Sequence, residues 1–367
     1  MAAQEPGGPE GITLEELHLA ARNHGTPLEA LRWPVTPVGL HYLLVHYDIP
    51  AVDPRAWRLT IDGRVRSSLV MTLDDLRARP AREVVATMEC AGNGRALLQP
   101  RPLSQPWLSE AVGTGRWRGT PVRLVLEEAG LEPDAVELVF TGLDRGVEGG
   151  VVQNYARSLA VADATADEVI LAWEVNGQPL PPQHGFPVRL LVPGWYGMAS
   201  VKWLARIRAV DEPFAGYQQA RGYRWRTDED DPGEPVTRML PRALMVPPGI
   251  PDFFTRRRLL AMGPCLLEGR AWSGRAPVVE VEVSADGGRR WTAADVSGAD
   301  LGPWAWRRWA FTWDPPGPGE YVLCARARDA SGAAQPDAPS WNVGGYANNA
   351  VQRVPVMVVA TLSPEAP

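Results

Sequence analysis

Residues 171–204 read LAWEVNGQPLPPQHGFPVRLLVPGWYGMASVKWL. A strand-like apolar run at 188–192 is bracketed by turn signals at Asn176-Gly177, His184-Gly185 and Pro193-Gly194. His184, Arg189 and Lys202 stand around those turns, inside an otherwise apolar segment. Singly, each reads as a surface charge or a hydrogen-bonded loop residue. Jointly they read as the lining of a pocket for an anionic group, such as the phosphate of a bound cofactor.

Outward from this stretch, helices are few. Thr13 and Glu16 form a capping-box pattern ahead of Leu14, Leu17 and Ala20-Ala21, with Gly25 as a stop. Thr72-Leu73-Asp74-Asp75 opens a second helix that ends near Pro80. A third has Thr120 as N-cap, Pro121 in the first helical position and Gly130 as stop. Strands are expected at 57–61, 83–88, 135–141 and 188–192, which together predict a mixed α+β unit with irregular loops.

The character changes near Asp211. Residues 221–237, RGYRWRTDEDDPGEPVT, are charged and lack apolar periodicity, and they are read as a linker. Beyond it, strands recur at 278–284, 290–293, 306–313, 320–329 and 351–359, with Ala-Asp-Gly-Gly at 285–288 as a hairpin signal. An all-β, immunoglobulin-like sandwich follows. The expected organisation is an N-terminal extension (1–27), a mixed α+β unit (28–220), the linker (221–237) and the sandwich (238–367). In the sandwich, Cys265 is expected to face the core and Cys324 to face away, so the two stay unpaired thiols.

Composition bounds the function classes. A chain of 367 residues suits two cores, and a net charge of −6 argues against nucleic acid or an anionic membrane as partner. Apolar runs are too short for a membrane span, and the acidic, glycine-rich N-terminus has no signal-peptide pattern. Three cysteines fit a reducing compartment, so a cytoplasmic location is expected.

One of those cysteines stands in a second unusual stretch, residues 86–97, ATMECAGNGRAL. A cysteine in a glycine-rich turn is commonly structural. Here glycines at 92 and 94 would let a bulky ligand approach the backbone, and Arg95 would favour a thiolate at Cys90. A thiolate is a soft ligand of the kind that heavier transition metals take.

CAGNGR, NGQPLPPQHGFPVRLLVPG and SVKWL resemble the signature segments of the sulfite oxidase family of molybdenum enzymes. The intervening PWLSEAVGTGRWRGTPVRLVL and Gly142-Leu143-Asp144 follow that family's order, and the tail QPDAPSWNVGGYANNAVQRVPV resembles its dimerisation domain. The resemblance runs from about residue 28 to 360. It implies that Cys90 binds molybdenum and that His46, Asp144, His184, Arg189, Ser200 and Lys202 hold the pterin and its phosphate. It also implies that Arg95, Trp107 and Trp173 line the substrate pocket, and that the reaction is oxygen-atom transfer at the molybdenum cofactor. An external acceptor, a cytochrome or dioxygen, would take the electrons; a homodimer is implied, and no segment resembles a heme domain.

Three positions depart from the family pattern. Leu44 stands at an arginine, Trp173 at a tyrosine and Gly344 at a second arginine. Arg22-Asn23-His24 resembles a replacement for the first but lies too early to align. Each lost charge-assisted hydrogen bond is worth roughly 1.5–3 kcal/mol. The expected substrate is therefore sulfite held weakly, or a less charged sulfur or nitrogen compound. The residues also leave open an S-oxide or N-oxide reductase, a cysteine hydrolase using Cys90 and His184, and a non-catalytic binding protein. Trp304, Trp306 and Trp309 are expected as exposed interface anchors or as core.

Overall fold

The computed structural model describes residues 11–298 and 300–362. Its first sheet runs in the order β2-β1-β10-β5-β6, made of Leu69–Met71 (β2), Leu59–Gly63 (β1), Leu204–Val210 (β10), Glu137–Glu148 (β5) and Val151–Ala160 (β6). Only β1 and β10 are parallel in it. A second sheet is ordered β3-β4-β7-β8, from Arg82–Glu89 (β3), Val112–Pro121 (β4), Ile170–Val175 (β7) and Gln178–Pro179 (β8), with Arg189–Leu191 (β9) also pairing β7. A core of Leu59, Ile61, Phe140, Leu171, Leu190 and Ile207 lies where these sheets meet.

Helices α1 (Leu14–Ala20) and α2 (Leu73–Arg77) carry complete capping boxes, at Thr13/Glu16 and Thr72/Asp75. The first helix ends at Ala20, short of the expected Gly25. Helix α3 (Val122–Ala129) buries Val122, Val125, Leu126 and Ala129 as one stripe and stops at Gly130. Thr120 is not its N-cap. It completes β4, where its hydroxyl donates to the Leu76 carbonyl at 2.8 Å, and Pro121 takes the cap position. The β5–β6 hairpin outruns its expected end at Thr141 because Gly149 (φ 61°) and Gly150 (φ 78°) turn it tightly.

Chain close to the second half begins with short strands Arg224–Trp225 (β11) and Glu234–Pro235 (β12). Two further sheets follow: β13-β16-β19, from Arg242–Met245, Cys265–Trp272 and Arg307–Trp313, and a larger one ordered β14-β15-β21-β20-β17-β18. The latter comprises Ile250–Pro251 (β14), Arg258–Ala261 (β15), Gln352–Val359 (β21), Gly319–Asp329 (β20), Val278–Ser284 (β17) and Thr292–Ala293 (β18). Met245, Leu267 and Trp309 from one sheet and Val281, Leu323 and Val356 from the other share one core.

Several sequence-based expectations concern these elements. Trp306 and Trp309 are buried and serve as core; Trp304 is half-buried, its carbonyl accepting from the Thr87 amide. Cys265, half-buried, packs against the sandwich core, whereas Cys324, though buried, stands on the other face from the core residues Leu323, Ala325 and Ala327, so the two face as expected and both are free thiols. Within segment 221–237, read as the linker, β11 and β12 pair and Tyr223 is buried. The N-terminal segment is likewise integrated. Glu16 is buried in an ion pair with Arg101, and Asn23 bridges Gln105 Oε1 at 2.9 Å and the Val45 amide at 2.7 Å. No helix among the described residues is long and apolar enough to cross a membrane.

Gly119 marks the tightest contact in the second sheet. A Cβ there would sit 2.2 Å from the Leu171 carbonyl oxygen, inside the β4–β7 pairing. Gly119→Ala is expected to destabilise the protein by about 1–3 kcal/mol, seen as a lower urea midpoint with an unchanged slope.

Candidate active site

Two cavities meet at Cys90. The inner one is lined by Cys90, His41, His46, Asp144, His184, Arg189, Ser200 and Lys202, among others, and therefore gathers six of the residues expected at the cofactor together with the cysteine. The outer one, about 440 Å³, is lined by Cys90, Arg95, Trp107, Tyr217, Tyr223 and Tyr346 among others. Leu44, His46, Cys90 and Tyr223 belong to both walls, so the thiol stands at the passage between them.

Irregular backbone puts the inner residues in place. A register shift between Thr141 and Arg145 lifts Asp144 out of the β5–β6 ladder, and a second shift in β10 lies opposite, beside Lys202. The 182–184 helical turn ends at Gly185 (φ 105°) and presents His184. Arg189 Nη1 donates to the His184 carbonyl at 3.2 Å, and Nη2 to the Ser200 carbonyl at 3.0 Å. Lys202 Nζ donates to the carbonyls of Leu44 at 2.8 Å and Gln183 at 3.1 Å. Ser200 Oγ accepts from the Val192 amide at 3.1 Å.

The electrostatics of this pocket are out of balance. Two cations and three imidazoles face one carboxylate, Asp144. Burial lowers Lys202 to about 7, and burial with the neighbouring cations lowers His46 to about 3. His184 falls to about 2, through burial and through His41, Arg189 and Lys202. Burial raises Asp144 to about 6. Asp144 Oδ1 and Arg189 Nε are buried without any hydrogen-bond partner. Buried polar groups left this way are costly. A polyanionic, hydrogen-bonding ligand would relieve both the charge excess and the orphaned atoms, so the donor set fits a phosphate-bearing pterin.

Lys202 makes this testable by pH. Its folded value lies below the ordinary 10.5, so the unfolded chain binds more protons between about 7 and 10.5. Stability attributable to this group therefore rises with pH over that window and is absent below it. The thermal midpoint of cofactor-free protein is expected to rise from pH 7 to 8.5, and Lys202→Met is expected to flatten the rise. An equal slope in the variant would contradict the assignment.

Around Cys90 the glycines do different work from that expected. A Cβ on Gly92 would meet the Arg95 guanidinium and one on Gly94 the Asn348 side chain, so both glycines make room for neighbouring side chains. Burial raises the Cys90 thiol; Arg95 opposes that shift without reversing it. Trp107 is buried, and its indole N–H lies near enough to weigh on the thiol while making no well-formed bond to it. A thiol pushed up beside an imidazole pushed down does not make the ion pair of a cysteine hydrolase.

Not every expected residue reaches the site. Trp173 is buried in the core between the first two sheets and lines neither cavity. The alternation that places its neighbours turns it inward. Arg22 donates to the Tyr47 carbonyl and Asn23 is structural, so that early triplet offers no substitute for the arginine position at Leu44. At Gly344 the backbone carbonyl accepts from Arg95 Nε at 2.8 Å.

The structure adds residues that the sequence did not single out. Tyr223 bonds His46 through its hydroxyl, and His46 stacks on Tyr155 with ring centroids 4.6 Å apart. Tyr346 lies 5.1 Å from Tyr223 and under Arg95. Tyr223 and Tyr346 come from segments with no strand or helix periodicity; the only signal was an aromatic between turn residues, in RGYRW and GGYANN.

Behind Cys90, the second half of the chain clamps the loop. Arg242 Nη1 donates to Glu89 Oε1 at 2.7 Å and to the Asn348 carbonyl at 2.9 Å. Glu89 also accepts from Trp272 Nε1 at 2.9 Å and from Asn93 Nδ2 at 3.0 Å.

Comparison with known proteins gives the family. Residues 46–218 match the family model of the oxidoreductase molybdopterin binding domain, and residues 257–359 that of the Mo-co oxidoreductase dimerisation domain. The chain is 35% identical over 346 residues to mitochondrial sulfite oxidase of Rattus norvegicus, covering 89% of this chain and 62% of that protein. It is 36% identical to sulfite oxidase of Gallus gallus, covering 87% and 72%. The chain thus spans about 62% of the length of the rodent relative. Sulfane dehydrogenase SoxCD from Paracoccus pantotrophus superposes with a TM-score of 0.78 at 28% identity, covering 94% of this chain and 90% of that one. With the cavity pair, the cysteine at their junction and both family models in register, the chain belongs to the sulfite oxidase family of molybdenum-cofactor oxidoreductases.

Proposed function

We propose that this protein is a molybdenum-cofactor oxidoreductase of the sulfite oxidase type, passing electrons to an external one-electron acceptor. The observation that carries the reading is a buried, cation-rich cavity with unpaired polar atoms that opens on a single cysteine. Cys90 would bind the metal; His46, Asp144, His184, Arg189, Ser200 and Lys202 would hold the pterin and its phosphate. When bound, the group supplies a two-electron centre for oxygen-atom transfer.

The remaining work falls to side chains. Arg95 attracts the anionic end of the substrate, and Trp107 lines the same space. Tyr223 holds His46 through its hydroxyl. Arg189 and Lys202, each tied to backbone carbonyls, keep their charge in place with little reorganisation.

The same reading takes residues 28–220 as the catalytic unit and 238–367 as an immunoglobulin-like sandwich through which two copies pair. The two-sheet core and the match to a dimerisation domain support it. Purified protein from cells able to make the cofactor is expected to carry stoichiometric molybdenum and pterin and to oxidise a sulfur oxyanion with ferricyanide. Folded protein that never carries molybdenum would remove the reading.

A further inference from the structure

The anion-binding end of the outer cavity is unusually spare. Of its guanidinium groups, Arg95 is the one that weighs on the Cys90 thiol, whereas Arg221 and Arg226 weigh on Tyr217. Arg95 Nε is held by the Gly344 carbonyl, and Nη1 by Ser104 Oγ at 3.1 Å and the Gln105 carbonyl at 3.4 Å. Only Nη2 makes no protein hydrogen bond among the described residues. The Tyr346 ring lies 5.2 Å from the guanidinium carbon and takes up part of its charge.

Tyr346 also closes the route by which a second cation could enter. A Cβ on Gly344 would begin 2.2 Å from the Tyr346 ring, so a side chain there requires that ring to move. Leu44 lines the passage from the other side and offers only hydrocarbon. The reacting end therefore presents one charge and one free NH₂ group. The rest of the cavity is large and amphipathic, walled by Leu44, Trp107, Tyr217, Tyr223 and Tyr346. At about 440 Å³ it exceeds many times the ~30 Å³ share of a water molecule. A bare oxyanion would leave most of it wet.

We propose that the outer cavity selects an organic sulfinate over the sulfite dianion, and that Tyr346 sets this preference. The proposal rests on the molybdenum oxidoreductase reading above. A sulfinate is sulfite with one oxygen replaced by carbon. It keeps the lone pair on sulfur, carries one negative charge, and has an organic group to fill the wall between the tyrosines. Arg221 and Arg226 suit an organic group that ends in a carboxylate. The reaction balances: a new sulfur–oxygen bond forms to give the sulfonate, and water supplies the oxygen. Two protons are released, and two electrons leave singly to a one-electron acceptor such as ferricyanide or a cytochrome.

The test uses the molybdenum-loaded enzyme with sulfite, methanesulfinate and 3-sulfinopropanoate, and ferricyanide as acceptor. For at least one sulfinate, kcat/KM is expected to exceed that for sulfite by tenfold or more; any smaller ratio overturns the proposal. Calorimetry with methanesulfonate and sulfate checks the preference without turnover, and the sulfonate is expected to bind at least tenfold tighter. The double variant Gly344→Arg/Tyr346→Ser opens the space and fills it with a cation, and should shift the sulfinate-to-sulfite ratio tenfold toward sulfite. An unchanged ratio overturns the role of Tyr346. The two wild-type measurements decide the substrate class even where that variant does not fold. Protein without molybdenum would remove both readings, whereas loaded enzyme that prefers sulfite would remove only this one.

Discussion

Replacing Arg242 by leucine is expected to destabilise the protein by about 3–5 kcal/mol and to lower its molybdenum content. Arg242 and Glu89 are both almost wholly buried, with side chains 3% and 2% exposed and a contact of 2.7 Å. Removing one partner leaves a carboxylate in a dry site, which costs far more than the pair itself contributes. The carboxylate immediately precedes Cys90, and the same guanidinium reaches the carbonyls of Asn93 and Asn348. Loss of the clamp should thus loosen the cysteine loop as well as the fold. Urea denaturation and metal analysis of Arg242→Leu check both effects. The double variant Glu89→Gln/Arg242→Leu removes the stranded charge and should recover part of the stability. If the single and double variants are equally unstable, the buried charge is not the cause.

Cys90→Ser is expected to reduce bound molybdenum below a tenth of the wild-type level while leaving the protein folded. The substitution keeps the shape of the side chain and exchanges a soft sulfur donor for a hard, weakly acidic oxygen. Cys90 Sγ is not needed to hold the loop, whose backbone is secured by the Cys90 amide on the Ala111 carbonyl at 2.9 Å and by Asn93. Its stability should therefore shift by no more than about 1 kcal/mol. Metal analysis beside a thermal midpoint separates the two effects. Retention of molybdenum by the variant would overturn the assignment of Cys90 as the metal ligand. Cys265→Ser and Cys324→Ser, both in the C-terminal sheets, should retain the metal.

Much of the inner pocket was legible because its residues fall in short stretches with strong local signals. His184, Arg189, Ser200 and Lys202 lie within twenty residues, between glycine and proline turns that cannot continue a strand. Cys90 and Arg95 share one glycine-rich loop. Such turns are dictated by local backbone sterics, so they read directly from residue type. Strand positions were equally legible: Val278–Ser284 agrees at both ends, and others differ by one to a few residues.

Other features depended on distant packing. Trp173 stands where the family has a pocket tyrosine, yet the pleat of β7 turns it into the core. Thr120 had the look of an N-cap until the Leu76 carbonyl, 44 residues away, claimed its hydroxyl. Tyr223 and Tyr346, separated by 123 positions in the chain, meet at 5.1 Å over the cavity. No local pattern marks either one, because each is placed by the contact of loops far apart in the chain.

The amino acids alone were enough for the family and the strand-rich architecture, and they singled out Cys90 as the candidate metal ligand, since each rests on local stereochemistry or contiguous motifs. Folding in three dimensions settled which charges lose their water and which side chains share a wall. Those are properties of burial, and burial joins residues that the chain keeps far apart. For this reason the cysteine could be picked out from one line of text, while the spare anion site beside it, one arginine held by Gly344 and shielded by Tyr346, came into view only with the fold.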